Sequence, residues 1–184
     1  MNTPNKLTIL RIILVIPFMA FLMLSPGNTL FTAIALVLFV VASLTDAIDG
    51  HMARKYNLIT DFGKFMDPLA DKMLTTSAFL GLMSFGRASA VAVMLILTRE
   101  FIVSGIRLVA ASDGRVIAAS IWGKLKTIFQ MVAIIASILL LFPVFPENAS
   151  AAVTDILVWI SAVVTVISGA DYVIKNIDVI KDVK

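Results

Sequence analysis

Six apolar stretches, approximately 7–24, 30–53, 63–84, 88–111, 119–142 and 151–174, take up most of a chain of 184 residues. Each has about the 20 residues that a helix needs to cross the hydrocarbon core of a bilayer. The runs are continuous rather than alternating, which favours helices over barrel strands. Turn chemistry separates them. Ser25-Pro26-Gly27-Asn28 stops the first, Ser84-Phe85-Gly86-Arg87 the third, Ser112-Asp113-Gly114 the fourth, and Pro143 to Pro146 the fifth. The expected fold is therefore all-α: a polytopic membrane protein with six transmembrane helices, residues 1–184 forming one integral-membrane domain. Composition agrees, since 60% of the residues are apolar and 15% charged, against ~45–50% and ~25% in soluble domains. Such a balance also excludes disorder. The absence of cysteine excludes disulfide scaffolds, thiol catalysis and Cys-ligated metals. No small-residue cleavage pattern follows the first run, so no cleavable signal peptide is expected.

In so apolar a chain, the net charge of +3 reads as membrane topology rather than nucleic-acid binding. With the N-terminus in the cytoplasm, that side holds Lys6, Arg11, Arg54, Lys55, Lys64, Arg115, Lys124, Lys126, Lys175, Lys181 and Lys184. The opposite side holds Arg87. Both termini and the loops around 54–62 and 112–120 are accordingly expected in the cytoplasm.

The few acidic residues are concentrated between the second and third runs. Asp46, Asp49, Gly50 and Ala53 are spaced i, i+3, i+4, i+7 and share one helix face. Gly63, Asp67 and Asp71 repeat every four residues, again near one face. A short loop folds the two helices antiparallel and gathers the carboxylates at their cytoplasmic ends. At ~5–6 Å and an effective dielectric of 20, each carboxylate pair repels by ~3 kcal/mol, so such a cluster requires cations. Hard oxygen donors suit Mg²⁺ or Mn²⁺ rather than zinc. Gly50, Ala53 and Gly63 leave room for a bulky group, and Arg54 adds a cation suited to phosphate oxygens. Together these residues describe a phosphate-ester site at a membrane surface. Taken singly, carboxylates at helix ends also serve as caps. Asp61 fits the start of helix three, and Asp67 fits a cap followed by Pro68 unless the helix begins earlier.

The segment matches the pattern D-x2-D-G-x2-A-R-x8-G-x3-D-x3-D at Asp46, Asp49, Gly50, Ala53, Arg54, Gly63, Asp67 and Asp71. On this signature the chain resembles the CDP-alcohol phosphotransferase family, whose six-helix layout extends the resemblance over the whole chain. Members transfer a phosphatidyl or related group from a CDP-linked donor to an alcohol and release CMP. The resemblance implies that Asp46, Asp49 and Asp67 are metal ligands for two ions of Mg²⁺ or Mn²⁺. It implies that Asp71 is a ligand, the general base, or both. Gly50, Ala53, Arg54 and Gly63 resemble the family's cytidine-diphosphate pocket.

Charges inside membrane segments are costly and usually functional. Helix four carries Arg99, Glu100 and Arg107, and helix five opens with Gly123-Lys124-Leu125-Lys126-Thr127. Glu100 and Arg107, seven residues apart, are expected to pair, leaving Arg99 off that face without a local partner. Arg99, Arg107, Lys124 and Lys126 would suit an acceptor that brings its own phosphate, although Lys124 and Lys126 also fit simple positive-inside anchors. The opening Pro4-Asn5-Lys6-Leu7-Thr8 with Arg11, the run from Thr98 to Arg107 and Gly123 to Thr127 resemble the family's phosphatidylglycerophosphate synthase branch. That resemblance implies CDP-diacylglycerol and sn-glycerol 3-phosphate as substrates. Alternative acceptors are an inositol phosphate, phosphatidylglycerol or serine, and outside the enzymes a divalent-cation transporter. Asn5, Thr8 and Arg11 border the headgroup or nucleotide site on this reading, with Arg11 equally suited to an interfacial anchor. His51 reads as helix surface, Asp171 and Lys175 as a local ion pair, and Gly81-Leu-Met-Ser84 as a small-xxx-small pattern for helix packing or a homodimer.

Overall fold

Residues 3–55, 61–112, 117 and 120–177 are described in the computed structural model; side chains are described for these except at 3, 4, 46–55, 61–65, 67, 68, 111 and 112. Among the described residues six helices form in chain order: α1 (Thr3–Met23), α2 (Thr29–Lys55), α3 (Asp61–Ser84), α4 (Ala90–Ser112), α5 (Ile121–Leu139) and α6 (Glu147–Lys175). The expected helix count and class hold. Helix six begins earlier than its apolar run, because Pro146 ends the preceding turn and Glu147 opens the helix, where a carboxylate favours the dipole. Helix α3 starts at Asp61, so Pro68 lies inside it and Asp67 is not its cap. Without an N–H, Pro68 leaves the Lys64 carbonyl without its helical donor.

The turns are set by local chemistry. Gly86, at φ +68°, supplies the left-handed residue that ends α3. Its N–H donates to the Met83 carbonyl at 2.9 Å, and Arg87 N–H donates to Leu82 at 3.0 Å, the bond pair of a Schellman motif. Gly27, at φ +75°, turns the chain between α1 and α2. Asn28 Oδ1 then accepts from Phe31 N–H at 3.2 Å, and Ser120 Oγ accepts from Gly123 N–H at 3.1 Å at the start of α5.

Helix α1 packs most extensively on α2 and α3, and α6 on α5 and α4, while α2–α5, α3–α4 and α3–α5 contacts join the two groups. The core between them is built from Phe18, Leu22, Phe39, Leu74, Phe79, Leu82, Ile96, Ile134 and Ile138, all buried. Phe18 and Phe39 meet with ring centroids 5.6 Å apart. Polar and small residues also lie inside: Thr154, Ser161, Thr165 and Ser168 of α6 are fully buried, whereas Ile16, Leu30, Phe101 and Ile121 are exposed. Large apolar side chains outward and small or polar ones inward is the arrangement a lipid solvent favours. Helices α1 (from Asn5), α5 and α6 are each long and apolar enough to cross a membrane. Among the described residues, Thr29–Thr45 of α2 forms a shorter apolar stretch, while α3 and α4 carry charges in the segments of the candidate site.

Gly81 is where α3 meets α1, since a Cβ there would lie 2.5 Å from Leu22 Cδ2 and 3.2 Å from Met23 Cε. At Gly81 the small-xxx-small pattern thus serves helix packing inside the chain. Gly81→Val is expected to destabilise the fold by about 1–3 kcal/mol through overpacking, read as a lower melting temperature in detergent. An unchanged transition would show that Leu22 swings aside freely.

At the end opposite the acidic segment, Arg87 donates to Leu140 O at 3.3 Å and to Ser150 Oγ at 2.8 Å. Asp155 of α6 accepts from Ser89 N–H at 2.7 Å. These contacts tie the α3–α4 turn to α5 and α6. The charged residues of helices α3 to α5 then gather at the other end of the bundle.

Candidate active site

Helix direction brings the acidic segments together. The last turns of α2 carry Asp46, Asp49, Gly50, Ala53 and Arg54, and the first turns of α3 carry Gly63 and Asp67. The backbone is helical at all seven positions, so the face-sharing register expected from their spacing is present; their side chains lie outside the described residues, as does that of His51. Asp71, one turn past Asp67, is described and half-buried. Among the described residues, the charges acting on it most strongly are those of Lys126 on α5, then Lys72 on α3, Glu100 on α4 and Arg11 on α1. Four helices therefore contribute charge to one locus.

Asn5, Thr8 and Arg11 line the first turns of α1, all buried, with Arg11 fully so. A completely buried guanidinium is not an interfacial anchor, which corrects that reading. Arg11 belongs to the interior of the site end.

Glu100 is the organising group of α4. Its Oε1 accepts from Arg99 Nη1 at 3.2 Å and also from Lys126 Nζ. Arg99 Nη2 donates to Ser168 Oγ on α6 at 2.7 Å. Arg99 and Glu100 are each 8% exposed, so an unpaired partner would carry a desolvation penalty of several kcal/mol. The expected Glu100–Arg107 pair does not form. Seven residues place Arg107 about 10 Å along the helix axis from Glu100, and Arg107, exposed, instead donates to Ile117 O at 3.4 Å. Nor does Arg99 lack partners, since its guanidinium reaches both its neighbour and α6.

The four basic residues expected at an acceptor phosphate are thus not equivalent. Arg99 and Lys126 meet at Glu100, Lys124 is exposed, and Arg107 acts electrostatically on Tyr172 of α6. Sequence reasoning missed the part played by α6. Ser168, Gly169 and Tyr172 are buried there, and a Cβ at Gly169 would lie 2.7 Å from Arg99 Cγ. The available signal was the recurrence of small residues along α6 at Ser161, Thr165, Ser168 and Gly169, which marks a close helix interface. Above this layer Gln130 Nε2 donates to Thr165 Oγ1 at 3.0 Å, satisfying a buried amide between α5 and α6. The pair Asp171–Lys175, expected from spacing, is present at 2.6 Å.

Carboxylates on two antiparallel helices, a buried Arg–Glu–Lys group and buried small residues form a polar end within an otherwise apolar bundle. Comparisons with known proteins agree. The family model for CDP-alcohol phosphatidyltransferase matches residues 1–167. A protein of Bacillus subtilis (strain 168) called CDP-diacylglycerol–glycerol-3-phosphate 3-phosphatidyltransferase is 42% identical, with 98% of this chain and 97% of the relative covered. A Rickettsia typhi protein of the same name is also 42% identical, over 93% of this chain and 94% of its own. In fold, the chain resembles the apo crystal structure of Mycobacterium tuberculosis phosphatidylinositol phosphate synthase, with a TM-score of 0.65 at 20% identity, covering 98% of this chain and 90% of that one. A family match running from α1 into α6, together with relatives aligned over nearly their full length, shows that this chain belongs to the CDP-alcohol phosphatidyltransferase family.

Proposed function

We propose that the protein transfers the phosphatidyl group of CDP-diacylglycerol to sn-glycerol 3-phosphate, giving phosphatidylglycerophosphate and CMP. The observation that carries this reading is the near-full-length likeness to relatives of that name. The buried Arg99–Glu100–Lys126 group supports an acceptor with its own phosphate. The acceptor hydroxyl attacks the phosphorus that bears the lipid, the new O–P bond forms, and the bond to CMP breaks with its electron pair leaving on CMP. Asp71 takes the hydroxyl proton, a role open to a half-buried carboxylate one turn past Asp67. Arg99 and Lys126 hold the acceptor phosphate, with Arg107 and Lys124 at its more exposed edge. Gly50, Ala53, Arg54 and Gly63 border the cytidine-diphosphate group.

The family generally uses divalent metals, and the donor set fits them: Asp46 and Asp49 on α2, and Asp67 and Asp71 on α3, are each spaced in helical register and offer hard oxygen donors. Two ions of Mg²⁺ or Mn²⁺ held there would neutralise the diphosphate and the leaving oxygen. All six helices cross the membrane on this reading, with both termini and the site on the cytoplasmic side. The support is the basic bias toward the site end, opposite Arg87.

The direct test supplies purified protein with CDP-diacylglycerol, Mg²⁺ and one acceptor at a time, and measures CMP. Release is expected with sn-glycerol 3-phosphate and at most trace release with inositol phosphate, phosphatidylglycerol or serine. Preference for any of those three would replace the acceptor assignment.

A further inference from the structure

Two cationic heads at the polar end of the bundle meet on a single carboxylate oxygen. Arg99 Nη1 and Lys126 Nζ both donate to Glu100 Oε1, so the heads sit no farther apart than two consecutive hydrogen bonds, roughly 6 Å. Like charges that close repel, and without the carboxylate the flexible lysine would turn away. Glu100 leaves the group with one net positive charge and with donors to spare, because Arg99 Nε is buried without a hydrogen-bond partner. The Tyr172 hydroxyl, one turn beyond Gly169 on α6, is also buried without a partner. Arg99 also acts electrostatically on Tyr172, and buried donors without acceptors suit an oxygen-rich ligand.

Helix α6 sets the arginine's path. Ser168 Oγ accepts from Arg99 Nη2 at 2.7 Å, and the arginine stem crosses Gly169 so closely that a Cβ would come 2.7 Å from Cγ and 3.7 Å from Nε. Cγ is near the root of the side chain, so a methyl group there displaces the whole guanidinium and not merely its tip. Glycine at 169 is required by this close approach.

Resting on the acceptor reading above, we propose that Glu100 and Gly169 are positioning residues for acceptor recognition. Glu100 clamps Arg99 and Lys126 into a fixed cationic pair, and Gly169 admits the Arg99 stem, so that the site selects an alcohol that carries a phosphate. Neither residue touches the reacting atoms.

Steady-state kinetics on the full-length protein test this, with Glu100→Gln, Glu100→Asp and Gly169→Ala compared against the wild type. Loss of one hydrogen bond to a charged group predicts that Glu100→Gln and Gly169→Ala raise KM for sn-glycerol 3-phosphate roughly tenfold or more. KM for CDP-diacylglycerol should stay within about twofold, since that substrate makes no use of the pair. Glu100→Asp keeps the charge and should recover part of the loss. Gly169→Ala deletes no polar group and carries the test if Glu100→Gln fails to fold. Unchanged acceptor KM, or both KM values rising together, overturns the proposal. If both variants lose their folded melting transition, the residues serve the fold alone and the proposal falls. A wild type that releases no CMP with sn-glycerol 3-phosphate would instead sink the acceptor reading, a separate failure.

Discussion

Asp71→Asn is expected to abolish CMP release while CDP-diacylglycerol still binds. The amide keeps the shape of the side chain but can neither accept the hydroxyl proton nor supply a negative oxygen to a cation. General-base catalysis alone contributes about 10²–10⁴-fold, so residual activity should fall at least that far. Asp71 is also the carboxylate on which the charges of Lys126, Lys72, Glu100 and Arg11 converge. Its neutralisation leaves three cations balanced by Glu100 alone among these groups. The measurement pairs CMP release with retention of radiolabelled donor. Full turnover by the variant would remove Asp71 from the mechanism, and simultaneous loss of donor binding would recast it as a ligand rather than a base.

Removal of divalent cations is expected to have an effect as large. Asp46 and Asp49 are one turn apart on α2, as are Asp67 and Asp71 on α3. Residues at such spacing lie ~5–6 Å apart, so each ionised pair repels by about 3 kcal/mol at an effective dielectric of 20. Neither a diphosphate nor a second anionic substrate can enter that field unassisted. Activity should vanish on treatment with a chelator and return with Mg²⁺ or Mn²⁺. Titration of metal back into stripped protein should saturate at two ions per chain. Metal-independent turnover would refute the cation assignment, and saturation at a single ion would refute the pair.

Several features could be read before the fold was known because they depend on neighbours in the chain. The turn at Gly86, the ion pair Asp171–Lys175 and the shared face of Asp46 and Asp49 each follow from spacing within a helix or a turn. Partner choice on α4 did not follow. Glu100 and Arg107 share a helix side, yet the carboxylate meets Arg99 beside it and Lys126 from α5, because reach across a helix interface is shorter than two turns of axis. The same limitation hid Gly169. A glycine in an apolar run shows nothing of what crosses it, and only the packing of α4 on α6 lays the Arg99 stem there.

Arg11 illustrates the boundary from the other side. Its position near the start of an apolar helix fits an anchor at the membrane surface, but burial by the surrounding helices makes it part of the polar interior. The sequence by itself determined what local periodicity and charge can determine: six helices, a membrane setting and an acidic signature between two of them. Tertiary structure alone decided which charges meet. Helical period fixes the face on which a side chain emerges, whereas its partner depends on which helix lies opposite and how closely small residues let that helix approach.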